Sequence, residues 1–139
     1  MTEKELIGRL SQLRDMRAEA DELSQRIARI ELAQRGRICA PGPASVRALA
    51  GLEDARSRME ARRLACMEEL GRLYALIDDI PDSRLRRIFA LRYIDGLTWL
   101  QVAFRIGETD EQYPRRAHNK AVRDLAGELT GDLAGRTFL

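Results

Sequence analysis

Proline is confined to four positions, and between them the chain has long stretches that nothing prevents from forming helix. Over residues 2–36, which contain no proline, apolar side chains recur at three- and four-residue steps from Leu6 to Ile30. This period places them on one face of an α-helix. The stripe drifts after Leu13 and does not keep strict heptads, so it argues against a long supercoil. The abundance of Ala, Leu, Arg and Glu also favours an all-α fold.

A second helical stretch follows the segment GRICAPGPAS, residues 36–45. Gly36 is a candidate C-cap, the run Pro41–Gly42–Pro43 forbids helix, and Ser45 is a candidate N-cap. The second apolar stripe consists of Val46, Leu49, Leu52, Met59, Leu64, Met67, Leu70, Leu73 and Ile77. Two helices of about 30 residues joined by a short break most simply fold back on each other. The sequence therefore predicts a long antiparallel helical hairpin over residues 1–79.

The second predicted domain, residues 80–139, begins with a helix signal at Pro81. Proline suits a first helical turn because its missing N–H is not needed there. Gly96 is a candidate left-handed C-cap. These two residues bound a predicted helix over residues 80–95.

Two more helices are predicted after the first. Thr98 and Gln101 have the spacing of a capping box, and the short helix that they begin ends near Gly107. The last helix is predicted over residues 113–130, because Pro114 is tolerated in a first turn but not in a helix interior. A short helix, a turn with glycine and a new helix are typical of a helix-turn-helix, so this part of the chain is predicted to be a helix-turn-helix domain.

The predicted last helix has two chemically different faces. At 100° per residue, four cations and two amides fall within an arc of about 140°. They are Gln112, Arg115, Arg116, Asn119, Lys120 and Arg123. Arginine binds guanine through two hydrogen bonds, amide side chains bind adenine in the same way, and Lys or Arg binds phosphate. These are the residue types of a helix that reads the major groove of DNA.

A solvated charged face is the alternative, and the distribution of acids favours the DNA interpretation. Residues 1–37 hold 8 cations and 7 acids, and residues 38–79 hold 6 cations and 7 acids. Acids are thus interleaved elsewhere, whereas residues 112–123 contain four cations and no acid. The three acids within residues 108–111 have two interpretations. They favour the helix N-terminus, or they repel phosphate and set the docking angle.

Other classes of function have little support in the sequence. The paired carboxylates Glu68–Glu69 and Asp78–Asp79 are accompanied by no second cluster, phosphate-binding loop or metal-spaced histidine. We therefore expect no catalytic residue, cofactor or metal site, and no enzyme. Cys39 and Cys66 fit neither a disulfide framework nor a zinc site, and His118 is expected to pack or to contact phosphate. Met1–Ser11 has no signal-peptide core and the chain has no apolar run of about 18 residues, so we expect a cytoplasmic protein without a membrane partner.

The segment IPDSRLRRIFALRYIDGLTWLQVAFRIG, residues 80–107, resembles region four of sigma factors, with its LRY-x-x-G-x-(S/T)-(W/Y)-x-x-(I/V)-A run. Tyr113–Arg116 and His118–Lys120 are similar to a smaller group, the phage-encoded transcriptional regulators of the ArpU/RinA type. That group commonly carries a helical hairpin with a Pro/Gly-rich break before the domain. The resemblance implies sequence-specific binding to double-stranded DNA near promoters of phage or prophage genes, commonly late genes, in a bacterial host cell. It also implies that the last helix reads the major groove through the six residues named above.

The predicted hairpin has apolar side chains off its two stripes, namely Ile7, Met16, Leu32 and Tyr74. Exposed apolar surface of this kind is a common site of protein association. We expect residues 1–79 to mediate homodimerisation or docking onto RNA polymerase. The dimer is preferred because helix-turn-helix modules commonly bind paired half-sites. On this view, removing residues 1–79 leaves a folded fragment that binds DNA weakly.

Two alternative functions stay open at this point. One is a sigma-like factor that works with RNA polymerase, although no segment resembles the core-binding and promoter-melting regions. The other is a phage DNA-packaging protein of the small-terminase kind, which also joins a helix-turn-helix to helical oligomerisation elements. Those proteins usually place the DNA-binding part first, whereas here it comes last.

Overall fold

The computed structural model describes residues 1–37 and 42–137, with side chains described for residues 1–36 and 42–129. The all-α prediction is confirmed, since no strand occurs in this part of the chain. None of the helices described has an apolar stretch that could span a bilayer. The helices are α1 (Glu3–Ser11), α2 (Leu13–Arg37), α3 (Pro43–Asp78), α4 (Ser83–Phe89), a π-helical segment that follows α4 directly (Ala90–Ile94), α5 (Trp99–Arg105) and α6 (Gln112–Thr137).

The chain divides into two compact units that differ from the predicted domains. We call Met1–Arg14 together with Arg72–Leu139 the terminal unit, and Asp15–Gly71 the central unit. The predicted boundary lay between residues 79 and 80. The first residues of the chain and the end of α3 therefore belong with the C-terminal helices.

In the central unit, side chains of α2 contact side chains of α3 in opposite order along the chain. The Gln34 Nε2 amide donates to Glu53 Oε2 at 2.9 Å, and Arg63 Nη1 donates to Ser24 Oγ at 3.4 Å. A later residue of α2 thus meets an earlier residue of α3. The buried apolar side chains of this unit are Ala20, Leu23, Ile27, Cys66 and Leu70.

The predicted apolar stripe of α3 is wrong at three positions. Val46, Leu64 and Met67 are 65%, 56% and 50% exposed. A row of buried and half-buried side chains runs instead at alternating three- and four-residue steps through Leu49, Leu52, Arg56, Met59, Arg63, Cys66, Leu70, Leu73 and Ile77. Two positions of this row are arginines, so the row is not visible in the apolar pattern.

Both arginines of the row are neutralised by a glutamate three residues earlier. Arg56 Nη2 lies 2.6 Å from Glu53 Oε1, and Arg63 Nη2 lies 2.7 Å from Glu60 Oε1. Hydrogen bonds from Arg56 and then from Gln34 lower the pKa of Glu53 to about 2. Long cationic side chains can cover apolar surface with their stems while their charged heads stay paired, which suits them to this row.

Both predicted caps at the break between α2 and α3 are wrong. Helix α2 includes Gly36, and α3 begins at Pro43 with Ser45 already in its first turn. Gly42 has a φ of +125°, a conformation that other residues rarely adopt. Pro43 then suits the first helical position because its missing N–H has no role there. Residues 38–41 of the predicted break lie outside the described residues.

The first predicted helix is divided near Gln12 into α1 and α2. Thr2 and Glu5 form a capping box, with Glu5 N–H donating to Thr2 Oγ1 at 3.1 Å and Thr2 N–H donating to Glu5 Oε2 at 3.3 Å. Ser11 Oγ donates back to the Ile7 carbonyl at 2.7 Å, and a bond of this type bends helices. Helix α1 is thereby a separate element.

Helix α1 packs against α6 in the terminal unit. Leu6, Leu10 and Leu13 are all 0% exposed, so this part of the chain contributes fully buried side chains to the core. A fragment without residues 1–79 would lose these side chains and uncover α6. The expectation that such a fragment stays folded is therefore replaced by the opposite expectation.

Helix α4 begins at Ser83, three residues after the predicted start at residue 80. Asp82 is its N-cap, since Asp82 Oδ1 accepts from the N–H groups of Arg84 at 2.9 Å and Leu85 at 3.3 Å. Pro81 therefore precedes the helix instead of lying in its first turn. Gly96 has a φ of +71°, which confirms the predicted left-handed residue at this end. A Cβ atom at Gly96 would also collide with the Arg14 guanidinium.

Helices α4, α5 and α6 share a small apolar core. Its buried members are Ile88, Val102 and Ile106, with Leu85, Leu91, Leu97, Trp99 and Ala117 packed against them. The predicted capping box at the start of α5 is confirmed, with Gln101 N–H donating to Thr98 Oγ1 at 3.2 Å and Thr98 N–H donating to Gln101 Oε1 at 2.9 Å. Gly107 follows α5 with a φ of +83°.

We expect Leu10→Ala to lower the free energy of unfolding by about 2–5 kcal/mol, because a fully buried leucine leaves a cavity. Ile7→Ala, on the same helix, is the matched control, because Ile7 is already 36% exposed. Urea denaturation followed by circular dichroism measures both. Equal losses for the two variants would show that α1 is not part of the core.

Candidate nucleic-acid interface

Helix α6 begins with an aspartate cap and a proline in its first turn. Asp110 Oδ1 accepts from the Gln112 N–H at 3.0 Å, and Gln112 is the first helical residue. Pro114 is then the third helical residue, where a backbone N–H has no helical partner to lose. Its ring is fully buried. The helix therefore starts one residue before the predicted position and holds Pro114 in its first turn.

The structure places all six predicted site residues on α6. Five are exposed and Arg115 is half-buried. Arg123 Nε lies 3.6 Å from Glu3 Oε1 of α1, with the two side chains 71% and 52% exposed. Among the residues that the structure describes, Arg115, Arg116 and Lys120 form no ion pair. Three cations of this face are thus available to an anionic ligand, and the fourth has a weak, solvent-exposed partner.

The opposite face of α6 is packed. Pro114, His118, Ala121, Val122 and Ala126 are buried there, and α1, α4 and α5 all contact the helix. The small alanine side chains allow neighbouring helices to approach closely. Packing of this face against three helices fixes the rotation of α6 about its axis, so the basic face is left exposed.

Two of the acids that precede α6 have partners within the terminal unit. Glu108 Oε1 accepts from Arg84 Nη2 of α4 at 2.5 Å. The Arg84 guanidinium also lies 4.9 Å from the centre of the half-exposed Tyr113 ring. Asp110 caps α6, as described above. These contacts favour the interpretation that the acids secure the start of α6.

An aromatic cluster of Phe89, Tyr93, Trp99 and His118 lies behind the basic face. The His118 side chain is 3% exposed, and its ring centroid lies 5.0 Å from that of Phe89 and 4.8 Å from that of Trp99. The expectation that His118 packs is confirmed. Arg92 closes the cluster, with its guanidinium 4.6 Å from the Trp99 ring centre.

Both ring nitrogens of His118 have hydrogen-bond partners. Nδ1 lies 3.0 Å from Asn119 Oδ1, and Nε2 lies 2.5 Å from the Tyr93 hydroxyl. Burial lowers the pKa of His118 below its usual value of 6.5, and the positive charge of Arg92 lowers it further, against the hydrogen bond to Asn119. Burial raises the pKa of Tyr93 to about 12. Both side chains are therefore neutral at pH 7.

Sequence reasoning placed the six candidate residues on one helix, as the structure has them, but gave none of their partners. The position of His118, four residues before Val122, signalled the packed face of the helix. No signal in the sequence pairs Arg84 with Glu108 or Glu3 with Arg123, because these contacts join distant segments. In the described part of the chain, no group of three His, Cys, Asp or Glu side chains is placed to hold a metal ion.

Since His118 is the only histidine, we expect a characteristic pH dependence of stability. The unfolded chain takes up a proton on this ring below about pH 6.5, whereas the folded chain resists it, so the free energy of unfolding falls as the pH falls from 7 to 5. The slope for one proton is at most about 1.4 kcal/mol per pH unit. Denaturation of the wild type and His118→Gln at several pH values measures it. Parallel curves for the two proteins would contradict the expectation.

The chain matches no family model, no curated protein and no solved structure. The similarity of residues 80–125 to sigma region four therefore stays an expectation from motifs.

Proposed function

We propose that the protein binds double-stranded DNA in a sequence-specific manner and regulates transcription, with α5, the turn after it and α6 acting as a helix-turn-helix. One observation carries this proposal. The face of α6 that carries four cations and two amides has no acid within residues 112–123 and is exposed, because the other face is packed against α1, α4 and α5. The sequence resemblance adds that the target genes belong to a phage or prophage.

The elements around α6 support the helix-turn-helix part of this proposal. Helix α5 is short, begins at a capping box and ends near Gly107, and α6 packs against both α4 and α5. In this motif the first helix crosses the DNA backbone while the N-terminal part of the second reaches base edges. The first turns of α6 carry Gln112, Arg115 and Arg116, which we assign to the bases.

Of the later residues of this face, one is assigned to a base and two to the DNA backbone. Asn119 lies one turn beyond Arg115 and has an amide suited to a base edge. Lys120 and Arg123 lie further along α6, where we assign them to phosphate. Glu3 holds Arg123 only at the surface, so that a phosphate can replace the carboxylate at small energetic cost.

Alanine substitution separates these roles. We expect Arg115→Ala and Arg116→Ala each to weaken binding by about 1–3 kcal/mol and to relax preference at one base pair. Lys120→Ala and Arg123→Ala should each reduce the slope of log K against log salt by about one. Titrations use the full-length protein and a duplex obtained by selection from random DNA.

Two exposed arginines of the central unit serve as controls in this titration. Arg29→Ala and Arg47→Ala remove the same charge and should leave both affinity and salt slope unchanged. If the triple variant of Arg115, Arg116 and Arg123 bound the selected duplex as tightly as the wild type, α6 would not be the recognition helix. Footprints confined to packaging sites instead of promoters would favour the small-terminase alternative.

We further propose that α2 and α3 form an antiparallel hairpin that dimerises the protein. The pairing of Gln34 with Glu53 and of Ser24 with Arg63 supports the antiparallel order. Leu64 and Met67 lie one turn apart on α3 and are 56% and 50% exposed, and Leu32 on α2 is 68% exposed. Exposed apolar surface of this kind favours association of two copies. A dimer would let two recognition helices reach half-sites about 34 Å apart.

We expect the wild type to sediment as a dimer at micromolar concentration and Leu64→Glu/Met67→Glu to sediment as a monomer. The control Ala18→Glu/Gln25→Glu adds the same charge at exposed positions of α2 and should stay dimeric. The dimer-breaking variant should bind a single half-site normally and paired half-sites weakly.

Dimerisation can also be tested with a fragment that keeps the core residues of α1, which removal of residues 1–79 would delete. The contacts Gln34–Glu53 and Ser24–Arg63 set the register of α2 against α3, and continuing this register places Arg14 beside Leu73. A short Gly/Ser linker from Arg14 to Arg72 should therefore give the terminal unit alone. It should bind one half-site as a single copy. A wild-type protein that binds tightly as one copy would contradict dimerisation and favour a heterologous partner such as RNA polymerase.

A further inference from the structure

The proton positions around His118 follow from its two partners. Asn119 Oδ1 is an acceptor only, so the 3.0 Å contact requires a proton on His118 Nδ1. A neutral imidazole then has an unprotonated Nε2, which accepts from the Tyr93 hydroxyl at 2.5 Å. Among the described residues the buried Tyr93 hydroxyl has no other hydrogen-bond partner, so it donates its proton to Nε2, which favours the tautomer with the ring proton on Nδ1.

This chain of hydrogen bonds ends on the proposed DNA-reading face. Tyr93 and His118 are 6% and 3% exposed, whereas Asn119 is exposed. A side-chain amide can normally rotate and present either its oxygen or its NH₂ group to a ligand. Here the oxygen is held by the ring behind it, so the NH₂ group is the free end.

We propose that His118 is a positioning residue that makes Asn119 a hydrogen-bond donor toward DNA and thereby sets its base preference. This inference rests on the proposed function of α6. Guanine presents two acceptors in the major groove, N7 and O6, whereas adenine presents one acceptor and one donor. A freely rotating asparagine binds adenine through both of its amide atoms. Asn119 with its oxygen held selects guanine over adenine at the base pair that it contacts.

Two substitutions release the amide in different ways. His118→Phe keeps an aromatic ring and removes the donor. Tyr93→Phe removes the hydroxyl that selects the tautomer, so that Nδ1 can become an acceptor and the amide can reverse. Phe89→Leu is the matched control, because Phe89 also packs on the His118 ring but makes no hydrogen bond to it. It tests whether disturbed packing alone alters recognition.

The first measurement uses the full-length protein without DNA. His118 is the only histidine, so its imidazole signals in long-range ¹H–¹⁵N spectra need no further assignment. We expect a proton on Nδ1 in the wild type and in Phe89→Leu, and loss of this single tautomer in Tyr93→Phe. A wild-type ring protonated on Nε2 would overturn the inference and leave the proposed function intact.

The second measurement uses the selected duplex. Asn119→Ala identifies the base pair at which preference is lost, and affinities are then compared for the four bases at that pair. We expect the wild type to prefer guanine over adenine by about tenfold, within the range of one good base contact. His118→Phe and Tyr93→Phe should reduce this ratio to about threefold or less, while preferences at other pairs and in Phe89→Leu stay unchanged.

The outcomes separate the two proposals. If the wild type selects no DNA sequence, the proposed function fails and the inference fails with it. If it selects a sequence but His118→Phe keeps the guanine preference, only the role of His118 is overturned. Equal loss of preference in Phe89→Leu would also overturn it, because packing would then explain the effect.

Discussion

Burial of one face of α6 is the interaction on which the terminal unit depends. Helices α1, α4 and α5 all pack against this face, which carries buried proline, histidine, alanine and valine side chains. The cations on the other face are then held outward by geometry, and among the described residues only Arg123 of these four has an ion pair, with Glu3. Recognition of base edges needs side chains whose direction is set before binding, since ordering them on binding costs free energy. The packed face therefore supports the chemistry of the exposed one.

Features with local causes were predictable from the sequence. A cap depends on residues within about four positions, so the Thr98–Gln101 box and the left-handed Gly96 were found correctly. The failure at Ser45 has a local cause too, because Pro43 takes the first helical position and α3 therefore begins before the predicted cap. The docking of α1 on α6 had no such signal. A leucine stripe such as that of Leu6 and Leu10 indicates that a face is buried and does not indicate by what.

The row along α3 shows a different limit of hydropathy patterns. Arg56 and Arg63 are half-buried while Leu64 and Met67 are exposed. The positions of the apolar residues along α3 therefore differ from the positions that are buried. An arginine can occupy such a row when a glutamate three residues earlier pairs with it. A hydropathy scale assigns each residue its own value and therefore does not represent this pairing. The same limit applies to the candidate site. The residue types on the outer face of α6 followed from helical period, whereas the hydrogen bond between His118 and Asn119 depends on tertiary packing.

Charge is distributed so that any attraction to DNA must be local. Residues 1–79 contain 14 cations and 14 acids, and residues 80–139 contain 10 cations and 8 acids, so the net charge of +2 provides little long-range steering. Two of the acids nearest α6 are engaged by Arg84 and by the helix N-terminus, which leaves four cations together on one outward face. On the proposed function, association of such a face with DNA depends on short-range release of counterions from a few phosphates. Its affinity should therefore be set by the α6 cations themselves, while the neutral remainder of the chain contributes geometry.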